Sequence, residues 1–521
     1  MISSTLAAPT SATGRLRGRC RGTAPLPGRL APWIQRWLQA APLAELVARF
    51  GSPLNLLCTD PMRENIEELQ QAALACDSTL DIYFARKSNK CLTFVDRALA
   101  CGIGVDTASE HELRQSLRAG LSSEKLVCTA AVKSESLVDL CLAPPAGHAE
   151  AGAGDEARAE GRSAGIVIAV DNTDELQLVS ARARQLGRRA AVAIRLGGFH
   201  HQGRKLRTRF GFDVDRDTDL VERLGELPVD VQGIHFHLDG YDAGQRVTAI
   251  RESVRWAQCL RRRGHAVSFV DMGGGIPMSY LEDQRSWQEF RRRLELALCG
   301  RGSPITYQNH GLGLSCRQGK VEGQLRCYPY YQAVVRAAWL SSILQAECGR
   351  TGRTIAGLLR ERELHLRCEP GRSLLDGCGA TVARVEYRKQ NADGEWLIGL
   401  AMNRTQCRTS SEDFLVDPLL IPARGAGDDR GQPAMAGYLV GAYCAEGDLI
   451  SWRKLHFPAG VQRGDLLIFP NTAGYLMHFL ESRSHQLPLA TNLVVAAAEG
   501  PGFEVAVDAI DTLEARSNVL V

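Results

Sequence analysis

Lysine is scarce in this chain. Of 62 basic residues in 521, only eight are lysines: Lys87, Lys90, Lys125, Lys133, Lys205, Lys320, Lys389 and Lys454. Chemistry that needs a side-chain amine therefore has few candidates. None of the sixteen cysteines forms a C-x-x-C pair. That excludes a zinc ribbon and a compact disulfide framework, and leaves reduced thiols in a cytoplasmic protein as the expectation. No apolar run approaches the roughly 18 residues that span a bilayer, so no membrane partner is expected. The net charge of +3 is too small to call for nucleic acid or an anionic surface. No acid precedes Glu45, and the first 30 residues carry five arginines among Ser, Thr and Pro. That stretch loosely resembles a transit peptide but reads more simply as a disordered extension.

An apolar content of 45% with 23% charge is that of a globular chain with a large core. From about residue 80 one pattern repeats, a short β-rich run followed by a helical stretch. The runs are 80–85, 103–107, 125–129, 166–170, 190–196, 231–238, 267–272 and 364–369. Continuous apolar runs alternating with helices imply buried parallel strands, and eight of them imply a closed (β/α)8 barrel. Ser109 and Glu112 form an S-x-x-E start for one helix, and Asp171-Asn172-Thr173 starts another. Residues 144–163, rich in Ala, Gly, Glu and Arg, read as a disordered insertion. The stretch 300–355 exceeds what one crossover needs and reads as a lid or dimer arm. After Arg372 short strands separated by turns predict a C-terminal β domain. The expected division is an extension at 1–30, a segment at 31–77 packing with the β domain, a barrel at 78–375 and the β domain at 376–521.

Barrel chemistry sits where the strands end. Strand 1 ends at Lys87, strand 2 at Asp106, and strand 5 carries Arg195. Strand 6 carries His235 and His237, strand 7 ends in Gly273-Gly274-Gly275, and strand 8 ends in Glu369-Pro370-Gly371-Arg372. Three glycines let backbone N–H groups approach a phosphate, although a tight turn would use them equally well. A lysine in a barrel mouth loses water and with it part of its charge, so its amine can form an imine with an aldehyde; the plain alternative is a surface lysine. A buried Glu369 could hold the proton of a pyridine nitrogen, or could simply pair with Arg372. His235 and His237 share a strand face and could bind a metal. That reading leaves the glycines and Glu369 unexplained, so no metal is expected.

Together these motifs make the chain, from about residue 50 onward, resemble the fold-type III pyridoxal 5'-phosphate decarboxylases that act on diaminopimelate, ornithine or arginine. Tyr83-Phe84-Ala85-Arg86-Lys87-Ser88-Asn89 resembles the motif that carries the cofactor lysine. Val105 to Glu112 matches the second-strand motif, which implies Asp106 and Glu112 in the cofactor pocket. Gly233-Ile234-His235-Phe236-His237 matches the strand whose histidine, here His237, stacks on the cofactor. Asp271-Met272-Gly273-Gly274-Gly275 matches the phosphate loop, and Glu369-Pro370-Gly371-Arg372 places Glu369 at the ring nitrogen. Gly441-Ala442-Tyr443-Cys444 and Ala473-Gly474-Tyr475 match β-domain motifs. There the cysteine reaches the partner subunit's site, and the tyrosine contacts phosphate or substrate.

The resemblance implies an amino-acid decarboxylase working as a homodimer with shared sites. Lys87, Glu369 and Cys444 would be catalytic. Asp106, Arg195, His237, Gly273, Gly274, Gly275, Arg372 and Tyr475 would bind cofactor, while Arg372, Cys444 and Glu446 would face the substrate. An amino-acid racemase on the same fold and a non-catalytic cofactor-binding relative are the alternatives. This sequence also departs from the pattern. Ala445 stands where an acid is usual after the cysteine, Asp239-Gly240 replaces Gly-Ser, and Asn471 replaces an aspartate. Those changes point to a substrate other than the usual ones.

Overall fold

The structure, a computed structural model, describes residues 12–40, 42–143, 165–348, 352–409, 414–423, 433–497, 503–508 and 518–519. The expected insertion at 144–163 lies outside these. The chain divides into two compact units. One comprises Met62–Pro277 and Val334–Leu374; the other comprises Met1–Pro61, Met278–Ala333 and Leu375–Val521.

The first unit is built on eight strands, labelled along the chain: β1 Leu80–Ala85, β2 Gly104–Thr107, β3 Leu126–Cys128, β4 Val167–Val170, β5 Ala190–Gly197, β6 Val229–Phe236, β7 Phe269–Asp271 and β8 His365–Cys368. Each pairs in parallel with its neighbour in number. β8 pairs with β1, which closes the barrel. The runs are apolar because helices cover their outer faces while the lumen is filled from within. β5 is buried at all eight positions. Beneath the mouth the lumen holds Tyr83, Val127, Val167, Ala191, Ala193 and Phe269. The Arg367 guanidinium lies 3.5 Å over the Phe269 ring, a cation–π contact inside the wall.

Side-chain caps start the covering helices where the sequence offers them. Ser109, Ser134, Asn172 and Asp242 each accept the N–H three residues on. Such a cap is typically worth about 1 kcal/mol.

The second unit holds an eleven-stranded sheet. Its longest strand, Gly379–Gln390, pairs with Trp396–Leu400, Leu54–Leu57 and Leu466–Pro470. Trp33, Trp37, Leu43 and Leu46 share one core with Leu54, Val382, Ile468 and Leu493.

Several expectations are corrected. Residues 12–30 are not a disordered tail. They form the helix Ala12–Arg19 and then bury Cys20, Ala24 and Leu26. Asp417 holds this stretch by accepting the N–H groups of Gly22 and Leu26, each at 3.0 Å. Residues 62–77 go with the barrel, and the segment 300–355 is not a free lid. Its first part is sewn into the β unit, where Thr306 bridges Arg453 and the Tyr330 hydroxyl accepts the Leu415 N–H at 3.1 Å. The rest joins the barrel unit, where the Trp339 indole donates to the Tyr241 carbonyl at 2.7 Å. The thiols are not all reduced, because Cys299 and Cys316 form a disulfide with Cα atoms 5.5 Å apart.

Candidate active site

Lys87 lies in a short 3-10 turn, Arg86–Ser88, that follows β1. Its neighbours are pinned. Buried Arg86 donates to the Asn89 carbonyl at 2.6 Å and to Gln115 Oε1 at 2.9 Å, and Ser88 Oγ donates to the Ala85 carbonyl at 2.7 Å. The Lys87 side chain, 35% exposed, reaches Asp106 Oδ2 at 3.0 Å. Asp106 is fully buried on β2, and its other oxygen accepts from the Thr129 hydroxyl. Glu112 sits beside them with its carboxylate on the Ala108 N–H at 2.7 Å. Burial pushes its pKa up, partly opposed by that backbone hydrogen bond.

The rest of the site is built from β6, β7 and the turn after β8, the strand that pairs with β1. Asp271 Oδ1 accepts the Gly273 N–H at 2.9 Å, and the Gly273 carbonyl accepts the Glu369 N–H at 2.9 Å. The Gly274 N–H donates to His237 Nδ1 at 3.2 Å, which staples that ring to the glycine loop. Glycine is required here. Gly273 and Gly275 take φ of +66° and +80°, and a Cβ on Gly274 would stand 2.8 Å from the Glu369 carbonyl. Buried Arg246 backs the loop, donating to the carbonyls of Leu238 and Gly240 at 2.9 and 2.7 Å. Asp239 is exposed and accepts the Gly240 N–H at 3.0 Å.

The charges of this lumen are strongly perturbed. Burial pushes Glu369 up to about 8, helped by the Asp106 charge and opposed by Lys87 and Arg195. Burial and the Glu369 charge push Asp271 up to about 7. Loss of water lowers His235 to about 4 and His237 to about 3, so both rings are neutral near pH 7. Arg195 lies 3.4 Å from Asp171 Oδ1 and 4.2 Å over the Phe210 ring. Arg372 is half-buried in the turn three residues past Glu369.

The structure therefore gathers Lys87, Asp106, Glu112, Arg195, His237, the three glycines, Glu369 and Arg372 into the barrel unit. Cys444, Glu446 and Tyr475 belong to the β unit. Cys444 and Glu446 are exposed, on a turn held by buried Asp448, which accepts the N–H groups of Tyr443 and Arg404 at 2.8 Å each. Tyr475 takes a φ of +70° and packs edge-on against Phe479. Asn471 fixes the start of that loop. Its side chain donates to Asp376 at 2.7 Å and accepts the Gly377 N–H at 2.8 Å.

Sequence reasoning missed two neighbours of Glu369. His235 Nε2 is 3.3 Å from Glu369 Oε1, and Asp271 lies beside both. The H-x-H alternation was the available signal for His235. For Asp271 only strand register could reveal it.

Comparison with known proteins agrees with this geometry. Residues 63–299 match the family described as pyridoxal-dependent decarboxylase, pyridoxal binding domain. The uncharacterized protein y4yA of Sinorhizobium fredii is 32% identical over 463 residues, 88% of this chain and 91% of that protein. A diaminopimelate decarboxylase of Zymomonas mobilis is 24% identical over 254 residues, 47% of this chain and 56% of that enzyme. In fold, the chain is similar to the crystal structure of a diaminopimelate decarboxylase from M. jannaschii. That match has a TM-score of 0.62 and 17% identity, and covers 90% of this chain and 92% of that one. Among the described residues no helix is long and apolar enough to cross a membrane.

Proposed function

Because this chain belongs to the fold-type III pyridoxal-phosphate decarboxylase family, we propose that it is a cytoplasmic, homodimeric enzyme that decarboxylates an amino acid. The residues present fit pyridoxal phosphate. Glu369 is a buried carboxyl directly after β8, and a Cβ would fill the cradle at Gly274. An amine also waits beside a buried carboxylate at the end of β1. When bound, the cofactor supplies an aldehyde for the substrate amine and a protonated ring that draws electrons from Cα.

The chain's own groups do the rest. Lys87 would hold the cofactor through its aldehyde, and Asp106, 3.0 Å from the amine, would balance the lysine charge. Glu369 accepts the ring N–H and keeps that proton in place. His237, neutral and stapled to Gly274, would pack against the cofactor ring, and Arg195 would help hold the cofactor. Gly273, Gly274, Gly275 and Arg372 would hold the phosphate, and Tyr475 would contact phosphate or substrate if its motif works as the resemblance implies. Arg372 and Glu446 read the substrate. Lys87, or the Cys444 thiol of a second subunit, would be the proton donor to the substrate.

One arrangement carries this reading: Lys87 and Glu369 follow the paired strands β1 and β8, with the lysine 3.0 Å from buried Asp106 and the Glu369 N–H donating to the Gly273 carbonyl of the glycine loop. Glu369 also favours decarboxylation over racemisation, because a carboxylate keeps the ring protonated. The test begins with purified protein plus pyridoxal phosphate, reduced with borohydride and mapped by peptide. Label on Lys87 supports the proposal, and a colourless protein with no label sinks it. Screening CO2 release across basic, acidic and conjugated amino acids then identifies the substrate. Loss of optical rotation without CO2 would point to a racemase instead.

A further inference from the structure

Three adjacent strands carry a cluster that the proposed function uses only in part. His235 lies on β6, Asp271 on β7, and Glu369 follows β8. Strand register sets His235 opposite Asp271, and Asp271 opposite Arg367. One side-chain donor or acceptor atom from each of His235, Asp271 and Glu369 lies within 4.8 Å of the other two. His235 is 1% exposed and Glu369 3%. Their contact, Nε2 to Oε1, spans 3.3 Å, yet that oxygen and both His235 nitrogens lack a hydrogen-bond partner. Asp271 Oδ1 is already committed to the Gly273 N–H. Burying the Glu369 carboxyl with no donor on Oε1 is costly, so this arrangement calls for a hydrogen-bond donor there.

We propose that His235 is a positioning residue for Glu369: carried neutral with its proton on Nε2, it donates to Oε1 and turns the other carboxylate oxygen toward the ring nitrogen of the bound cofactor. The inference rests on the proposed function for the role of Glu369 but not for the contact itself. A small rotation of either side chain converts the 3.3 Å approach into a hydrogen bond. The neutral ring follows from its burial, which outweighs the attraction of Asp271 and Asp106; the positive Arg195 and Lys87 act in the same direction as burial. The charged groups facing Glu369 are Lys87 after β1, Asp106 on β2, Arg195 on β5 and Asp271 on β7. Each of them is fixed by its own strand. His235 is the neutral donor among them, so its removal should read directly on the Glu369 carboxyl.

The test uses the cofactor-free full chain first. Nitrogen-15 NMR of His235 should show the Nε2–H tautomer above pH 8, where Glu369 is ionised; the Nδ1–H tautomer or an imidazolium there overturns the proposal, and no variant is needed. Isotope-edited infrared titration of the Glu369 carboxyl then compares His235→Leu with His235→Gln. Loss of the donor should raise the midpoint by about one pH unit or more, while glutamine, which keeps an amide N–H at the same reach, should hold it near wild type. Equal shifts in both variants would mean a packing role and overturn the idea. So would stoichiometric zinc retained by the wild type and lost in His235→Leu. With cofactor added, a protein that still labels at Lys87 but shows an unmoved Glu369 midpoint fails only this inference. A protein that takes up no cofactor fails the proposed function instead.

Discussion

Two carboxyls pushed up to about 7 and about 8 share one lumen with two histidines lowered to about 4 and about 3. The carboxyls retain protons that the unfolded chain has released above 3.8 and 4.5, so they weaken folding as pH rises toward 8. The histidines stay neutral where the unfolded chain is charged, so they strengthen folding as pH rises toward 6.5. Below pH 6.5 the effects oppose each other, and above it only the carboxyls act. The cofactor-free protein should therefore show a thermal midpoint that falls between pH 6.5 and 8, and a scan of melting temperature against pH checks this. Glu369→Gln should flatten that fall. It should also keep cofactor colour while lowering CO2 release by about 100-fold, because the ring proton loses its charged acceptor. Undiminished turnover in this variant would contradict the electron-withdrawing role.

At the scale of elements, the glycine loop and the N-terminal segment make separate predictions. Gly274→Ala places a Cβ 2.8 Å from the Glu369 carbonyl. The loop must shift, and titration of the cofactor-free protein with pyridoxal phosphate should show affinity weakened by about tenfold or more. Asp417→Ala removes the acceptor for Gly22 and Leu26 and leaves buried Arg453, now 2.6 Å from Asp417, without its charge partner. A loss of about 3 kcal/mol in chemical denaturation is expected, with faster tryptic cleavage at Arg17 to Arg21.

The barrel was legible in the sequence because each strand is a continuous apolar run next to a helix start such as Ser109 or Asn172. The placement of Lys87, Asp106 and Glu369 at strand ends was legible for the same reason, since position on the strand fixed where they emerge. The order of residues 12–30 was not. Its acceptor, Asp417, lies 395 positions from Gly22, and a basic, proline-containing stretch carries no local sign of it. Likewise, nothing local assigns residues 278–333 to the β unit. The pairing of Thr306 with Arg453 decides that. The His235 contact with Glu369 depended on register across three strands, which periodicity cannot supply.

For the whole molecule, the proposed catalytic set divides between units. Lys87 and Glu369 lie in the barrel unit, Cys444 and Tyr475 in the β unit. If dimers share sites, mixing inactive Lys87→Ala with inactive Cys444→Ala should regenerate one intact site per mixed dimer and about one quarter of wild-type CO2 release. No recovery after mixing and refolding would place Cys444 in the same subunit's site or outside it.

The barrel's last strand is also the one the ribosome delivers late. β7 ends at Asp271, the chain then leaves to build Met278–Ala333 into the other unit, and β8 begins only at His365. Throughout that interval a nascent chain carries seven strands with one edge of β7 and one edge of β1 unpaired, two open edges of the kind that recruit chaperones or stray strands. A fragment ending at residue 299, where the pyridoxal-binding match stops, would be frozen in that half-made state.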